Sequence, residues 1–178
     1  MPRENTNLVW IDIETTGLEP DNDEILEVCC VVTSKDLDII AVSDSFVIHN
    51  NYEVIMKMDD WCKNTHKNNG LIQEVLISNL GKEEVESNIL EFLNLWIDFK
   101  SSPMCGSSVH FDRSFLKNYM PKLENYFTHR NLDVSSMKEV VYKWYDFEYI
   151  KDEVEHRAKP DIIQSIQELE FYKKNFFI

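Results

Sequence analysis

Asp12 and Glu14 lie two positions apart in an apolar stretch near the start of the chain, VWIDIETTG at residues 9–17. Side chains alternate between the two faces of a β-strand, so a strand here places both carboxylates on one face. Buried charges are costly unless they are paired or coordinate a metal, and Mg²⁺ and Mn²⁺ prefer oxygen ligands. The pair therefore indicates a divalent-metal site, and the alternative is an ordinary strand end with two solvated acids.

Three further residues whose side chains could bind a metal or transfer a proton lie much later in the chain. Asp112 is predicted in the first turn of a helix, and Asp161 in the first turn of the last helix, five residues after His156. Each has an ordinary interpretation on its own, because an acid in a first helical turn interacts favourably with the helix dipole. A histidine in a polar loop is commonly solvated, but imidazole also exchanges protons near neutral pH and is suited to general-base chemistry.

The composition places the chain among globular proteins and limits its partners. It has 178 residues, 43% of them hydrophobic, which predicts a single domain over residues 1–178 and excludes a disordered chain. The net charge of −14 argues against a general binder of long nucleic acid. No apolar run reaches the length of a membrane span, the first seven residues do not form a signal or transit sequence, and the four cysteines match no zinc pattern. We therefore expect a reduced, cytoplasmic protein without membrane contact.

The hydrophobic pattern predicts a mixed α/β fold. The stretch 9–17 predicts a first strand that runs into a tight turn, and alternation predicts strands over Ile25–Thr33 and Ile39–Ile48, joined by a linker short enough for a hairpin. Two short strands follow at Ser102–Gly106 and Leu132–Val134. We expect a five-stranded mixed sheet, an antiparallel meander plus parallel strands, with helices on both faces. This pattern is compatible with a ribonuclease-H-like architecture.

Helical periodicity predicts the elements that cover this sheet. In the strongest segment, Glu83–Ile97, apolar residues recur at spacings of three and four. Pro160 is predicted to open the last helix, because proline suits a first helical turn. The stretch 145–155 is predicted to be irregular and acidic. The remaining predicted helices cover residues 58–67, 70–77, 111–119 and 135 to about 144.

Taken together, the candidate residues resemble a known family. DIETTG at residues 12–17, then Asp112, then a histidine and an aspartate five residues apart at 156 and 161, resemble the DEDDh group of 3′→5′ exonucleases. The likeness is greatest to the branch that degrades short RNA fragments, and it extends over nearly the whole chain. Further matching stretches are LVWID at 8–12, MDDW at 58–61, TH at 65–66, SP and CG within 102–106, DR at 112–113, YMP at 119–121, LDVS at 132–135 and KE at 138–139.

The resemblance implies a two-metal hydrolase. Asp12, Glu14, Asp112 and Asp161 would hold two Mg²⁺ or Mn²⁺ ions, with Asp12 shared between them. His156 would be the general base that takes a proton from the attacking water. The products would be nucleoside 5′-monophosphates and a shortened RNA.

The resemblance also implies a set of substrate contacts. Leu18 would wedge beside a base, Trp61 would stack against one, and His66 would face the scissile phosphate or sugar. Each has a structural alternative: packing in a turn for Leu18, a core position for Trp61, helix capping for Ser135 and a surface ion pair for Arg130. The residues that resemble a pocket for the terminal 5′-phosphate are Ser108, Arg130, Ser135, Ser136 and, as a weaker candidate, Lys138.

The chain departs from the family pattern at several positions. Ser107 stands where the family usually has asparagine, and His129 where bacterial members commonly have a tyrosine that reaches the other subunit's substrate. Lys159 and Pro160 lie between the histidine and the aspartate, and Glu155 could favour the imidazolium form of the adjacent imidazole. These departures bear on rate and pH optimum more than on the metal site.

The sequence thus predicts a homodimeric, metal-dependent 3′→5′ exoribonuclease that acts on very short RNA oligonucleotides, 5′-phosphorylated dinucleotides above all. One alternative is a DEDDh exonuclease for longer RNA or single-stranded DNA. The other is an inactive nuclease-fold protein that binds a nucleotide or a protein partner. The location is predicted to be the cytoplasm, and a mitochondrial form through another start site stays open.

Overall fold

A computed structural model describes residues 4–151 and 156–177. The described residues form a six-stranded mixed sheet in the order β3-β2-β1-β5-β6, with β4 also paired to β2. The β1–β5 and β5–β6 pairs are parallel, and the other strand pairs of these described residues are antiparallel. The strands are β1 (Leu8–Thr15), β2 (Ile25–Thr33), β3 (Ile39–Val42), β4 (Phe46–Val47), β5 (Met104–Gly106) and β6 (Asn131–Asp133).

Eight helices are found in the same described residues. The sequence did not predict α1 or α6, which are only six and four residues long. The last helix begins two residues before Pro160, which therefore lies in its first turn, where its missing N–H group costs little. The helices are α1 (Tyr52–Lys57), α2 (Asp60–Asn68), α3 (Leu71–Ile77), α4 (Lys82–Asn94), α5 (His110–Tyr119), α6 (Pro121–Glu124), α7 (Val134–Tyr145) and α8 (Ala158–Phe176).

Two sequence predictions need correction. The expected third strand over 39–48 is two short strands. The Ser43 N–H still donates to the Cys30 carbonyl oxygen at 2.9 Å, but the Cys30 N–H donates to the Ser43 hydroxyl at 2.9 Å, so the regular ladder stops there. The sheet therefore has six strands rather than five. The helix expected from Met58 begins at Asp60, since Met58 has an extended backbone and Asp59 is the N-cap, accepting a hydrogen bond from the Cys62 N–H at 2.7 Å.

The central strand β1 separates two apolar cores, as its alternation predicts. Ile11 and Ile13 pack into a core with α4, α5 and α6, whereas Trp10 packs on the opposite face with α7 and α8. Helices thus cover both faces of the sheet, as predicted. In the described part of the chain, no helix has both the length and the apolar character needed to cross a bilayer.

Candidate active site

Three of the predicted metal-binding acids converge at the end of β1. Asp12 and Glu14 lie on the Trp10 face of the strand, and Asp161 enters from the first turn of α8, which packs on that face. One ligand oxygen from each of these three carboxylates lies within 4.8 Å of the other two. The arrangement joins residues almost 150 positions apart into one acidic cluster.

The fourth acid, Asp112, sits beside this cluster and is held by the backbone of β1. It lies in the first turn of α5 and is buried, with 4% of its surface exposed. Its Oδ1 accepts a hydrogen bond from the Ile13 N–H at 3.0 Å. Because Ile13 lies between Asp12 and Glu14, this bond sets the fourth carboxylate next to the other three.

Burial and mutual repulsion make these carboxylates hold protons more tightly than usual. Burial raises the pKa of Asp12 well above its ordinary value, and the neighbouring charges of Asp112 and Glu14 raise it further. Burial also raises the pKa of Glu14 to about 8, with the Asp161 charge adding to the effect, and the pKa of Asp161 to about 6. The pKa of Asp112 is raised by burial, although the hydrogen bond from Ile13 opposes this.

A divalent cation fits this donor set. The four side chains offer only carboxylate oxygens, which are the ligands that Mg²⁺ and Mn²⁺ prefer. Their raised pKa values show that the charged forms are under-compensated without a cation. Asp12, Glu14 and Asp161 are the cluster that can hold an ion. Asp112 is not one of the three acids whose ligand oxygens lie within 4.8 Å of one another, although its charge contributes to the raised pKa of Asp12.

His156 lies two residues before α8, on the segment that leads into the helix that carries Asp161. It is exposed, and its ring contacts Trp61 edge to face, with centroids 5.7 Å apart. Its carbonyl oxygen accepts a hydrogen bond from the Asn69 side chain at the end of α2. The charge of His156 opposes the raised pKa of Asp161, which places the imidazole within electrostatic reach of the acids. Glu155, expected to influence this imidazole, lies outside the described residues.

His66 is buried next to Glu14, and its contact with the scissile phosphate or sugar stays a prediction. Only 2% of its surface is exposed, and its Nε2 lies 3.0 Å from the Thr15 carbonyl oxygen. Its Nδ1 lies 4.0 Å from a Glu14 carboxylate oxygen and has no hydrogen-bond partner among the described residues. Burial lowers the pKa of His66, so the ring is neutral at pH 7. The side chain therefore stands behind Glu14, with one nitrogen directed toward the cluster.

A second polar cluster lies at the carboxyl ends of β5 and β6. The Asp133 Oδ1 accepts hydrogen bonds from the backbone N–H groups of Ser108 and Ser135, both at 2.9 Å. The Ser108 hydroxyl donates to the Ser135 hydroxyl at 3.0 Å, and Ser136 is exposed beside them. Asp133 rather than Ser135 caps α7, so both hydroxyls remain at the surface. Three of the predicted phosphate-binding serines are thus together.

The two basic residues of the predicted phosphate pocket, Arg130 and Lys138, make their described contacts outside this serine cluster. Arg130 precedes β6, whereas Asp133 ends it, so the two lie about 10 Å apart along the strand at roughly 3.3 Å per residue. Arg130 and His129 are exposed and line a shallow pocket with Lys100 at the other end of the strand. The Lys138 ammonium lies 3.7 Å from a Glu148 oxygen.

The exposure of Leu18 and Trp61 rules out their structural alternatives. Leu18 is 75% exposed and Trp61 is 63% exposed, so neither is packed in the core. A Cβ at Gly17, just before Leu18, would lie 2.5 Å from an Asp23 carboxylate oxygen, so any other residue there would displace the Asp23 side chain. Ser107 stands where the family usually has asparagine, and its hydroxyl lies 2.8 Å from the Ser165 hydroxyl of α8.

Two charged residues next to the cluster were not among the predicted site residues. Glu27 lies directly opposite Glu14 in the β1–β2 pairing and is 1% exposed. Arg157 follows His156 and forms two hydrogen bonds with the Glu27 carboxylate, at 2.8 and 2.9 Å. Glu27 could have been noticed in the sequence, because it is an acid within an otherwise apolar strand. Its partner Arg157 could not be identified in this way, since it lies 130 residues away.

Comparison with known sequences assigns the chain to a family. The profile of the exonuclease family, RNase_T, matches residues 9–169. The chain is 42% identical over 178 residues to the oligoribonuclease of Neisseria meningitidis serogroup B, covering 99% of this chain and 95% of that protein. It is 43% identical over 178 residues to the oligoribonuclease of Haemophilus influenzae, covering 99% and 98%. The chain belongs to the exonuclease family. It is a nuclease that hydrolyses phosphodiester bonds, and the predicted family is confirmed.

Solved structures of exonuclease I share the fold. The metal-free E. coli exonuclease I–ssDNA complex aligns with a TM-score of 0.71 and 13% identity over 96% of this chain. Exonuclease I from Methylocaldum szegediense aligns with a TM-score of 0.75 and 14% identity, also over 96% of this chain. The chain spans about two fifths of the length of these two proteins, 40% and 41%. At these identities, the likeness establishes the exonuclease fold.

Proposed function

We propose that this 3′→5′ exoribonuclease degrades very short RNA oligonucleotides, and 5′-phosphorylated dinucleotides above all. The observation that carries the proposal is that two polar clusters lie at the ends of neighbouring strands of one sheet. The acidic cluster lies at the end of β1, and the serine cluster at the ends of β5 and β6 in the same sheet. Adjacent strands are about 4.8 Å apart, so the two clusters are separated by one or two strand spacings. A scissile phosphate and a terminal phosphate could occupy them together.

The acidic cluster is the proposed site of hydrolysis. Asp12, Glu14, Asp112 and Asp161 would hold two Mg²⁺ or Mn²⁺ ions, which stabilise charge on the attacking and leaving oxygens when bound. His156 takes a proton from the attacking water, whose oxygen forms a bond to the scissile phosphorus. The bond from phosphorus to the 3′-oxygen of the preceding nucleotide breaks, and that oxygen takes up a proton to become the 3′-hydroxyl of the shortened RNA. The other product is a nucleoside 5′-monophosphate.

Exposed side chains around the cluster suit a short substrate. Leu18, in the turn after β1, and Trp61, which contacts the His156 ring, present apolar surface to solvent and can contact the two bases. Stacking of a base on an aromatic ring contributes about 1–3 kcal/mol and tolerates any base. The hydroxyls of Ser108, Ser135 and Ser136 can donate hydrogen bonds to a terminal phosphate. The Nδ1 of His66, which lies 4.0 Å from a Glu14 oxygen and has no hydrogen-bond partner among the described residues, can face the scissile phosphate or sugar, as the sequence predicts.

We further propose a homodimer in which each subunit completes the other's substrate site. The support is the position of Arg130 and His129, which are exposed at the opposite end of β6 from Asp133. Arg130 has no ion-pair partner within the described residues, so its charge is available to a phosphate bound by a second copy. The location that we propose is the cytoplasm, and it is supported by four buried cysteines that are all unpaired.

The decisive experiment is hydrolysis of a 5′-phosphorylated diribonucleotide by the purified protein. We expect release of nucleoside 5′-monophosphates with Mg²⁺ or Mn²⁺ and none in EDTA. RNAs of three, five and twenty nucleotides, and a DNA dinucleotide, define the substrate class. Faster processing of the twenty-nucleotide RNA would contradict the short-substrate proposal. Binding of the dinucleotide without any hydrolysis would instead indicate a nucleotide-binding module.

A further inference from the structure

Arg157 joins three elements at the point where His156 enters the site. Its Nε and Nη2 donate to the two Glu27 carboxylate oxygens of β2, at 2.9 and 2.8 Å. Its Nη1 and Nη2 donate to the two Glu74 oxygens of α3, at 3.0 and 2.8 Å. The guanidinium thus forms two bidentate pairs, an arrangement that fixes direction as well as distance.

The Glu27 carboxylate also fixes the start of α8. One of its oxygens accepts a hydrogen bond from the Ala158 N–H at 3.2 Å. No side chain within α8's own cap performs this role, because Arg157 at the N-cap makes no capping bond. A single buried carboxylate therefore holds the residue after His156 and the first turn that carries Asp161.

The other side of the His156 segment is held by a second buried acid. The Lys151 ammonium lies 2.9 Å from a Glu168 carboxylate oxygen, and the other Glu168 oxygen accepts a hydrogen bond from the Tyr172 hydroxyl at 2.6 Å. Glu168 is 1% exposed. Residues 151 and 157, on the two sides of His156, are thus each fastened to a buried glutamate.

The ion pair between Arg157 and Glu74 connects the His156 segment to α2 and α3, the first of which carries Trp61. Glu74 lies in α3, which follows α2, and α2 carries Trp61 and has Asn69 as its C-cap. Trp61 touches the His156 ring, and the Asn69 amide donates to the His156 carbonyl oxygen. The Arg157–Glu74 pair is therefore a third link between α2–α3 and the His156 segment.

We infer that Arg157 is a positioning residue that aims the His156 imidazole at the acidic cluster through its paired contacts with Glu27 and Glu74. This inference rests on the proposed role of His156 as the general base. A general base must lie within hydrogen-bond reach of the proton that it removes, so a small displacement lowers turnover more than substrate binding.

The test uses two variants chosen to preserve folding. Arg157→Lys keeps the positive charge beside buried Glu27 but cannot form both bidentate pairs. Glu74→Gln removes one charge from a side chain that is 46% exposed. Glu170→Gln is the matched control, because Glu170 is also 46% exposed and pairs with Lys174 farther along α8.

We expect each test variant to lower kcat for a 5′-phosphorylated dinucleotide by about tenfold or more, with KM within about twofold of the wild-type value. The double variant should lose little beyond Arg157→Lys alone, because both changes break the same contact. The metal-induced rise in Tm should persist, and Glu170→Gln should match the wild type. A kcat within twofold of the wild type in both test variants, or a kcat loss matched by loss of metal stabilisation, would overturn the inference.

A second measurement does not depend on turnover. The Trp61 ring should displace the His156 ring-proton resonances in the NMR spectrum, which His156→Ala identifies among the five histidines. Arg157→Lys and Glu74→Gln should move these resonances toward their random-coil positions, and Glu170→Gln should not. Unchanged resonances in both test variants contradict the positioning role. A wild type that releases no mononucleotide contradicts the proposed function instead, and the resonances still decide the role of Arg157.

Discussion

The Asp112 carboxylate accepts a hydrogen bond from the Ile13 N–H at 3.0 Å, between the two acids of β1. Asp112 thus has both a structural and a proposed metal-binding role, and two substitutions separate them. Asparagine retains an oxygen acceptor but loses the charge, whereas alanine loses both. We expect both variants to lose turnover.

We expect Asp112→Asn in EDTA to be at least as stable as the wild type, because it removes one of several repelling charges. Asp112→Ala should be less stable than the asparagine variant by about 1–3 kcal/mol, since it leaves a buried N–H unpaired. Urea unfolding at pH 7 measures both values. Equal stability of the two variants would show that the bond to Ile13 contributes nothing.

The raised carboxyl pKa values predict an unusual dependence of stability on pH in EDTA. Glu14 has its pKa raised to about 8 and Asp161 to about 6, both chiefly by burial. In the unfolded chain these groups lose their protons near pH 4, so between about pH 4 and pH 8 the folded state holds more protons. Stability then falls as pH rises through this window.

A shift of one pKa unit corresponds to about 1.4 kcal/mol, or roughly 3–6 °C in Tm for a chain of this size. We therefore expect Tm in EDTA to fall by several degrees between pH 5 and pH 8. Mg²⁺ or Mn²⁺ should restore the loss at pH 8, since ligands that bind the folded state stabilise it. Asp12→Asn should show a flatter profile and lose most of the metal effect. A rise in Tm with pH in EDTA would contradict the repulsion between these acids.

Replacing His156 should separate chemistry from metal binding. His156→Ala removes the proposed base but none of the four acids, so we expect turnover to fall by about 10²–10⁴-fold. The metal-induced rise in Tm should be retained, as measured by thermal unfolding with and without Mn²⁺. Wild-type turnover across the pH range would show that another group takes the proton.

The proposed dimer can be tested by mass and by complementation. Light scattering at micromolar concentration should give about twice the chain mass of 21.1 kDa. If Arg130 serves the partner's site, a mixed dimer of His156→Ala and Arg130→Ala subunits has one site with both residues intact. Mixing the two variants should then recover activity that neither shows alone. A fully active monomer would refute the shared site.

The charge of the protein predicts its dependence on substrate length and salt. Binding of a long single strand gains affinity from many Lys and Arg contacts, each adding about −0.7 to the salt slope. This chain has a net charge of −14 and few candidate basic contacts, chiefly Arg130. We expect affinity and single-turnover rate to fall from two to twenty nucleotides, with a weak salt dependence. Arg130→Ala should weaken dinucleotide binding most and flatten the length preference. Equal processing of the two lengths would favour a general exonuclease.

Much of the fold follows from local patterns in the chain. The alternation in β1 correctly placed Asp12 and Glu14 on one face, because side-chain direction in a strand is a property of the backbone itself. The helix boundaries were less accurate. A separate short helix, α1, precedes the one that begins at Asp60, and the break between them at Met58 depends on the Asp59 cap rather than on hydrophobic periodicity.

The residue types and their spacing determined the family, the face of β1 that carries its acids and the mixed α/β class. Only the tertiary structure decided which groups surround those acids. Glu27 faces Glu14 through the register of two strands, and its partner Arg157 lies 130 residues later. His66 is buried behind Glu14, and Arg130 lies at the far end of β6 from Asp133. Such contacts depend on how distant segments pack, and local sequence patterns do not encode that packing, because each pattern reflects only its own backbone and its own apolar face.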